Sequence, residues 1–280
     1  MNIFKVKKEK YATLYAGAVS GLVGTYSEVL LFPLDTMKTR SQAGSCVNSL
    51  KTHCKYYSGL LSDLMGSIPA ACAYWCTYEY LKKRFIDEKQ NSVSKRMIAY
   101  MCSGAIAEIA SVSIRSPFEV IKQNMQIGAY TGLFESVRDI YNINGIASFY
   151  KGLKPMLFKN IPYSMIQFAI YETIKNEYKK KKNVPLVGLV PHLFMCIFTA
   201  FTCSLLTSPL DVIKTQIIIN VKSSQFKNNS LLEATRYIHH IYGWKGFFLG
   251  IRYRLLISIL ASSTSIYCFQ EFKNRVLLSE

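Results

Sequence analysis

One pattern is written three times along this chain: Pro33-Leu34-Asp35-Thr36-Met37-Lys38, Pro117-Phe118-Glu119-Val120-Ile121-Lys122 and Pro209-Leu210-Asp211-Val212-Ile213-Lys214. Each copy follows an apolar stretch and places an acid two residues after a proline and a lysine five residues after it. The prolines are 84 and then 92 residues apart. Recurrence at such a period marks a tandem triplication. Acid and base three residues apart share one helix face. Three proline-kinked helix ends, each offering one acid and one base, suit a pseudo-threefold bundle closed by a ring of ion pairs, and no enzymatic chemistry needs them.

The composition admits a membrane protein. Of 280 residues 50% are hydrophobic, yet 18% are charged, more than a bundle packed only against itself and lipid tolerates. Charges inside the apolar segments are therefore expected to face water. Six segments reach the ~20 residues that a bilayer core requires: 11–36, 60–81, 97–121, 153–174, 186–213 and 249–272. An even number of spans puts both termini on one side. The expected fold is an all-α membrane protein, a single domain over 1–280 whose three helix-loop-helix repeats cover 11–84, 95–178 and 186–276. Between the second pair of spans, Leu133 to Tyr141 carries apolar residues at 133, 134, 137, 140 and 141, the spacing of an amphipathic surface helix. Leu231 to Tyr242 echoes it, and the loop of the first repeat is short, ending at Tyr57-Ser58-Gly59.

The net charge of +17 has a membrane explanation. Lys5, Lys7 and Lys8, and the run Lys179 to Lys182, lie just outside expected spans, where anionic headgroups attract each at ~1 kcal/mol. No nucleic-acid partner is expected. Loops on both faces are basic, so the charge bias does not orient the chain. Cys46, Cys54, Cys72, Cys76, Cys102, Cys196, Cys203 and Cys268 show no metal-ligand spacing and mostly sit in apolar segments, so reduced structural thiols are expected. Met1 to Lys10 is basic but too short and unpatterned for a cleaved presequence. None of His53, His192, His239 and His240 stands in a recognisable catalytic or metal-ligating arrangement with an acid.

The three copies resemble the mitochondrial carrier family over essentially the whole chain. The resemblance rests on the thrice-repeated Pro-x-acid-x-x-base followed by aromatic-x-Gly at Tyr57-Ser58-Gly59, Tyr150-Lys151-Gly152 and Phe248-Leu249-Gly250. A second family pattern, aromatic-acid-x-x-base, appears at Tyr78-Glu79 with Lys82, Tyr171-Glu172 with Lys175, and Phe269-Gln270 with Lys273, the last with a glutamine in place of the acid. The basic residue the family often carries seven after the proline is present as Arg40 but replaced by Asn124 and Gln216.

The resemblance implies six transmembrane helices in a pseudo-threefold barrel with short matrix-side amphipathic helices, and two gates around a central substrate site. On the matrix side it pairs Asp35 with Lys122, Glu119 with Lys214 and Asp211 with Lys38, braced by Gln42 and Gln126; the third brace position is Ile218. On the cytoplasmic side it pairs Glu79 with Lys175 and Glu172 with Lys273, while Gln270 offers Lys82 only a hydrogen bond. A transporter in the mitochondrial inner membrane or plastid inner envelope is implied, monomeric, without a cofactor, with cardiolipin as its lipid partner.

Substrate choice must come from groups that break the threefold symmetry. Glu28, Glu108, Arg115 and Lys159 are the charges that do so. Glu28 precedes Asp35 by seven residues, and Glu108 precedes Arg115 by seven and Glu119 by eleven, which puts each on the face of its ring acid. Buried without purpose, such groups cost roughly 2.5–3.5 kcal/mol each on insertion scales. Arg115 has a local alternative, an i,i+4 pair with Glu119. Counting back 13 residues from Glu79 and Glu172 reaches Gly66 and Lys159, the family's substrate-contact depth, with Ser67, Asn160 and Ser258 beside them. Tyr74, Trp75, Tyr163 and Gln167 lie slightly further out, suited to stack a flat base and bond its edge, although Trp75 is as readily a packing residue.

Within the family the likeness is to S-adenosylmethionine carriers. It is carried by Ser27-Glu28 with the following Pro33 motif, Gly66-Ser67-Ile68-Pro69, Ile114-Arg115-Ser116-Pro117 and Ile161-Pro162-Tyr163-Ser164. The departure is Lys159-Asn160, where those carriers have a basic–acidic pair. The implied activity is exchange of S-adenosylmethionine for S-adenosylhomocysteine by alternating access, acids meeting the cation and a base the carboxylate. A carrier of another adenine-containing or cationic metabolite stays open.

Overall fold

The computed structural model describes residues 24–44, 55–85, 93–182, 189–220 and 230–261, and they are helical apart from turns and short connections. In chain order the helices are α1 (24–43), α2 (Leu60–Phe85), α3 (Val93–Gln126), α4 (Leu133–Asn144), α5 (Leu153–Lys182), α6 (Leu189–Leu206), α7 (Ser208–Ile219), α8 (Leu231–Tyr242) and α9 (251–261). Two 3₁₀ turns, Gly145–Tyr150 and Trp244–Phe248, lead into α5 and α9.

Three of the six expected spans run on beyond their proline motifs. α1 continues to residue 43, α3 to Gln126 and α7 to Ile219, so the first two motifs lie inside helices and the third occupies the first turns of α7, with Pro209 at its start. A proline removes one i→i−4 bond but leaves helical backbone angles accessible on both sides. The third repeat pays more: its helix breaks at Thr207, and α6 and α7 meet at 59°. No single described helix is both long and apolar enough to cross a membrane by itself, whereas this bent pair is.

α4 and α8 match the two amphipathic patterns. Each turns one narrow face inward, Ser136 and Ile140 in α4 and Ala234 and Ile238 in α8. Each ends on a glycine with positive φ, Gly145 at +59° and Gly243 at +62°, the conformation that glycine adopts without a Cβ penalty. Ser230 caps α8 by accepting from the Glu233 amide.

The burial pattern is inverted relative to a protein that faces only water. Gln42, Gln126 and Gln216 are fully buried beside Asp211, Glu119, Lys122 and Lys214, while Phe194 (69%) and Phe198 (58%) on α6 point outward together with Leu30, Ile68 and Leu206. Exposed apolar surface of this extent marks a surface that meets something other than water. Apolar packing concentrates at one end of the bundle, where Val120, Ile121 and Met125 of α3 meet Ile140, Met156 and Ile218. A second cluster joins Val212, Ile213 and Ile217 to Ala234, Ile238 and Phe247. These two clusters fix α4 and α8 under the proline motifs.

Candidate functional site

The proline motifs of α1, α3 and α7 converge into a ring. Lys122 Nζ lies 2.8 Å from Asp35 Oδ2, Lys214 Nζ 2.8 Å from Glu119 Oε1 and Lys38 Nζ 2.7 Å from Asp211 Oδ2. Gln126 Nε2 donates to Asp35 Oδ2 at 3.1 Å and Gln42 Nε2 to Asp211 Oδ2 at 3.0 Å. Ile218 cannot brace the third pair, and the fully buried side chain instead packs in the apolar cluster. Gln123 supplies the bond from the acid's own helix, donating to Glu119 Oε1 at 2.8 Å. Breaking one partner out of such a buried pair costs about 3–5 kcal/mol.

A second ring lies beside the first. The residues seven after each proline donate to the main-chain carbonyl of the brace position on the next helix: Arg40 Nε to Gln126 O at 2.8 Å, Asn124 Nδ2 to Ile218 O at 3.1 Å and Gln216 Nε2 to Gln42 O at 2.7 Å. Asn124 and Gln216 thus depart from a basic residue without losing its bond. What they lose is the charge on the donor, which separates bonds of about 1 kcal/mol from bonds of about 1.5–3 kcal/mol.

The symmetry-breaking charges sit next to the ring. Arg115 reaches Asp63 Oδ1 at 3.2 Å and Glu28 Oε1 at 3.4 Å, both shorter than its 3.9 Å contact with Glu119. The local i,i+4 pair is therefore its weakest contact, and Glu28 has an inter-helix partner that its own helix does not offer. Arg115 and Glu28 each remain 33% accessible amid buried neighbours. Glu108 Oε1 accepts from Asn160 Nδ2 at 2.7 Å, so an α3 carboxylate stands at the place where an acid was expected at position 160. Lys159 Nζ lies 3.7 Å from Asp211 Oδ1.

The remaining expected contacts divide. Ser258 Oγ shares a 2.6 Å hydrogen bond with Ser204 Oγ. Ser67 Oγ donates to the Leu64 carbonyl at 3.4 Å. Gly66 backs onto Phe118, whose Cβ would stand 2.6 Å from an added Cβ, so its missing side chain serves the close approach of α2 to α3. Tyr74 stacks parallel on Tyr78 with ring centroids 6.1 Å apart, and Trp75 meets both edge-on and is half exposed. Tyr163 is half-buried and Gln167 exposed. Of the residues expected at a cytoplasmic gate, Lys175 lies over the Tyr171 ring at 5.4 Å, and Tyr171 Oη bonds His192 Nδ1 at 3.0 Å. The side chains of Glu79, Lys82 and Glu172, and residues Gln270 and Lys273, lie outside the described residues.

Sequence reasoning missed Asp63, Arg254 and Gln123. Asp63 Oδ2 accepts from Lys122 at 2.9 Å, a second carboxylate on one ring lysine. Arg254 places Nη1 3.6 Å from Asp211 Oδ2 and donates to the Thr207 carbonyl at 2.9 Å. The signal was available, since Asp63 and Arg254 stand four residues after Gly59 and Gly250, the last residues of two aromatic-x-Gly motifs.

The sequence model of the family described as "Mitochondrial carrier protein" matches residues 93–182 and 187–279. The chain belongs to the mitochondrial carrier family. Carriers of this family are transporters of small molecules, and no catalytic family is indicated. Among relatives, the mitochondrial S-adenosylmethionine carrier protein of Xenopus laevis is 30% identical over 97% of this chain and 99% of its own length. S-adenosylmethionine carrier 1, chloroplastic/mitochondrial, of Arabidopsis thaliana is 33% identical over 78% of this chain and 66% of its own. The mitochondrial RNA-splicing protein MRS4 of Saccharomyces cerevisiae is 30% identical over 91% of this chain and 88% of its own.

Proposed function

We propose that this carrier exchanges S-adenosylmethionine for S-adenosylhomocysteine across the mitochondrial inner membrane by alternating access. The observation that carries the reading is the charge layout beside the closed ring: Glu28, Asp63 and Glu108 outnumber Arg115 on the side of α1 to α3, while Lys159 and Arg254 lie together on the far side, at Asp211. A sulfonium and an ammonium suit the acidic side, and a carboxylate the basic one. The Xenopus and Arabidopsis relatives, by their names, support the same cargo. The Arabidopsis relative brings the plastid inner envelope as the other membrane in which such a chain would serve.

Closure follows from the ring, which we assign as the matrix gate. Asp35–Lys122, Glu119–Lys214 and Asp211–Lys38 hold α1, α3 and α7 together, and substrate contacts supply the free energy that separates them while the opposite pairs form. An empty carrier lacks that free energy and crosses slowly, which makes exchange the favoured mode. A monomer bound to cardiolipin is the working unit in this reading.

The yeast relative, also 30% identical and not named for S-adenosylmethionine, keeps a second reading in play, a carrier of another adenine-containing or cationic metabolite. Liposomes containing the purified full-length chain separate the two. Labelled S-adenosylmethionine should accumulate several-fold faster when S-adenosylhomocysteine is inside. Uptake that is absent, while a nucleotide or basic amino acid exchanges, would replace the first reading with the second.

A further inference from the structure

Aligning the repeats on Gly59, Gly152 and Gly250 puts Asp63, Met156 and Arg254 at one equivalent position, four residues on. All three are buried, at 4%, 2% and 6% exposure. An acid, an apolar residue and a base at one position are not parts of a symmetric closure. Arg254 donates to both the carbonyl and the hydroxyl of Thr207 and meets one charged side chain, Asp211, at 3.6 Å. Asp63 differs, because its carboxylate contacts two charged side chains, Lys122 at 2.9 Å and Arg115 at 3.2 Å. Arg115 also holds Glu28 at 3.4 Å and Glu119 at 3.9 Å, and Lys122 holds Asp35 at 2.8 Å. An unbroken series of opposite charges, Glu28, Arg115, Asp63, Lys122 and Asp35, runs from the accessible layer into the ring.

We propose that Asp63 is a positioning residue that couples arrival of a cationic group at Glu28 to opening of the ring. The inference rests on the carrier reading above. A cation at Glu28 competes with Arg115 for that carboxylate. Arg115 then directs its donors to Asp63 and Glu119, the two acids it already touches. Each is shared with a ring lysine, Asp63 with Lys122 and Glu119 with Lys214, so the Glu119–Lys214 pair weakens while Lys122 loses one of the two carboxylates that hold it. A neutral or anionic ligand at Glu28 leaves Arg115 in place and the ring closed. With a neutral side chain at position 63 the branch to Lys122 disappears.

The first arm of the test needs no ligand. Thermal unfolding of the purified full-length chain is measured for Glu28→Gln, Asp35→Asn and the double variant, then again with Asp63→Asn added to each. In the native background the two changes should be non-additive by about 2 °C or more in Tm, and the non-additivity should vanish with Asp63→Asn and return with Asp63→Glu. If Asp63→Asn does not fold, Asp63→Ser takes its place in the same cycle. Non-additivity that survives the neutral residue at 63, or that is missing from the native background, overturns the proposal. The second arm uses liposomes and labelled S-adenosylmethionine. Asp63→Asn should raise the ratio of net uptake into empty liposomes to exchange by about tenfold, a change in ratio that weaker cargo binding alone does not produce. A merely structural role would lower both rates in proportion, and an unchanged ratio is contrary to the coupling. Absence of any uptake by the native chain counts against the carrier reading, and the ligand-free arm then decides the role of Asp63 by itself.

Discussion

Lys122 and Asp211 hold comparable places in the ring but have opposite surroundings. Lys122 lies between two carboxylates, Asp35 at 2.8 Å and Asp63 at 2.9 Å. Asp211 lies among three cations, Lys38 at 2.7 Å, Arg254 at 3.6 Å and Lys159 at 3.7 Å. The ring pairs themselves are alike in kind and length. In the proposed reading the difference separates two jobs: the repeated pairs supply a closure, and departures from repetition supply a polarity, acid-rich on one side and base-rich on the other. A cargo with cations at one end and a carboxylate at the other is complementary to that polarity.

The largest effect should come from the base-rich half. Asp211→Asn leaves Lys38, Lys159 and Arg254 without their shared counter-ion, and at about 3–5 kcal/mol for an orphaned buried charge exchange should fall more than a hundredfold, with Tm lowered on the order of 10 °C. Exchange within tenfold of the native rate would show that the basic side needs no central acid. Next comes a charge swap in the acid-rich half. Asp35→Lys with Lys122→Asp restores one attraction but sets the new carboxylate against Asp63, so recovery should be poor and should improve about tenfold when Asp63→Asn is added. Full recovery from the two changes alone would mean that Lys122 does not depend on its second acid.

The smallest effects belong to the ring of side-chain-to-carbonyl bonds. Arg40→Ala removes a charged donor and should cost about 1.5–3 kcal/mol, whereas Asn124→Ala and Gln216→Leu remove neutral ones at about 1 kcal/mol each. Thermal unfolding of the three variants gives the order directly. Equal losses would show that the charge on Arg40 adds nothing to its bond with the Gln126 carbonyl.

Much of this arrangement was legible in the sequence because it repeats or is periodic. The spacing of Pro33, Asp35 and Lys38 and its two copies announced the ring, and the apolar period followed by glycine located α4 and α8. The rest depends on what lies across from each residue. That α7 breaks from α6 at Thr207 while α1 and α3 run through their prolines is not written in three nearly identical motifs; at Thr207 the carbonyl also accepts from Arg254, a partner from a distant helix. Gly66 looked like a small substrate contact until Phe118 was found against it. Asn160 looked like a lost acid until Glu108 was found 2.7 Å away. Asp63 is not legible from the repeated charges, because its position is an acid in one repeat, Met156 in the next and Arg254 in the last.

The central claim, that the unrepeated charges read the cargo while the repeated ones only close the path, is tested most directly by selectivity. Inhibition of labelled S-adenosylmethionine exchange by unlabelled S-adenosylmethionine and S-adenosylhomocysteine is measured in Glu28→Gln, Glu108→Gln and Lys159→Ala. A unit charge ~5 Å away contributes ~3 kcal/mol at an effective dielectric of ~20, so even a screened half of that changes relative affinity about tenfold. The account predicts that the two glutamate variants lose affinity for S-adenosylmethionine about tenfold more than for S-adenosylhomocysteine, which lacks the sulfonium charge. It predicts equal losses for both ligands in Lys159→Ala, since both carry the same carboxylate. Equal losses in both glutamate variants would contradict it and return Glu28 and Glu108 to a structural role.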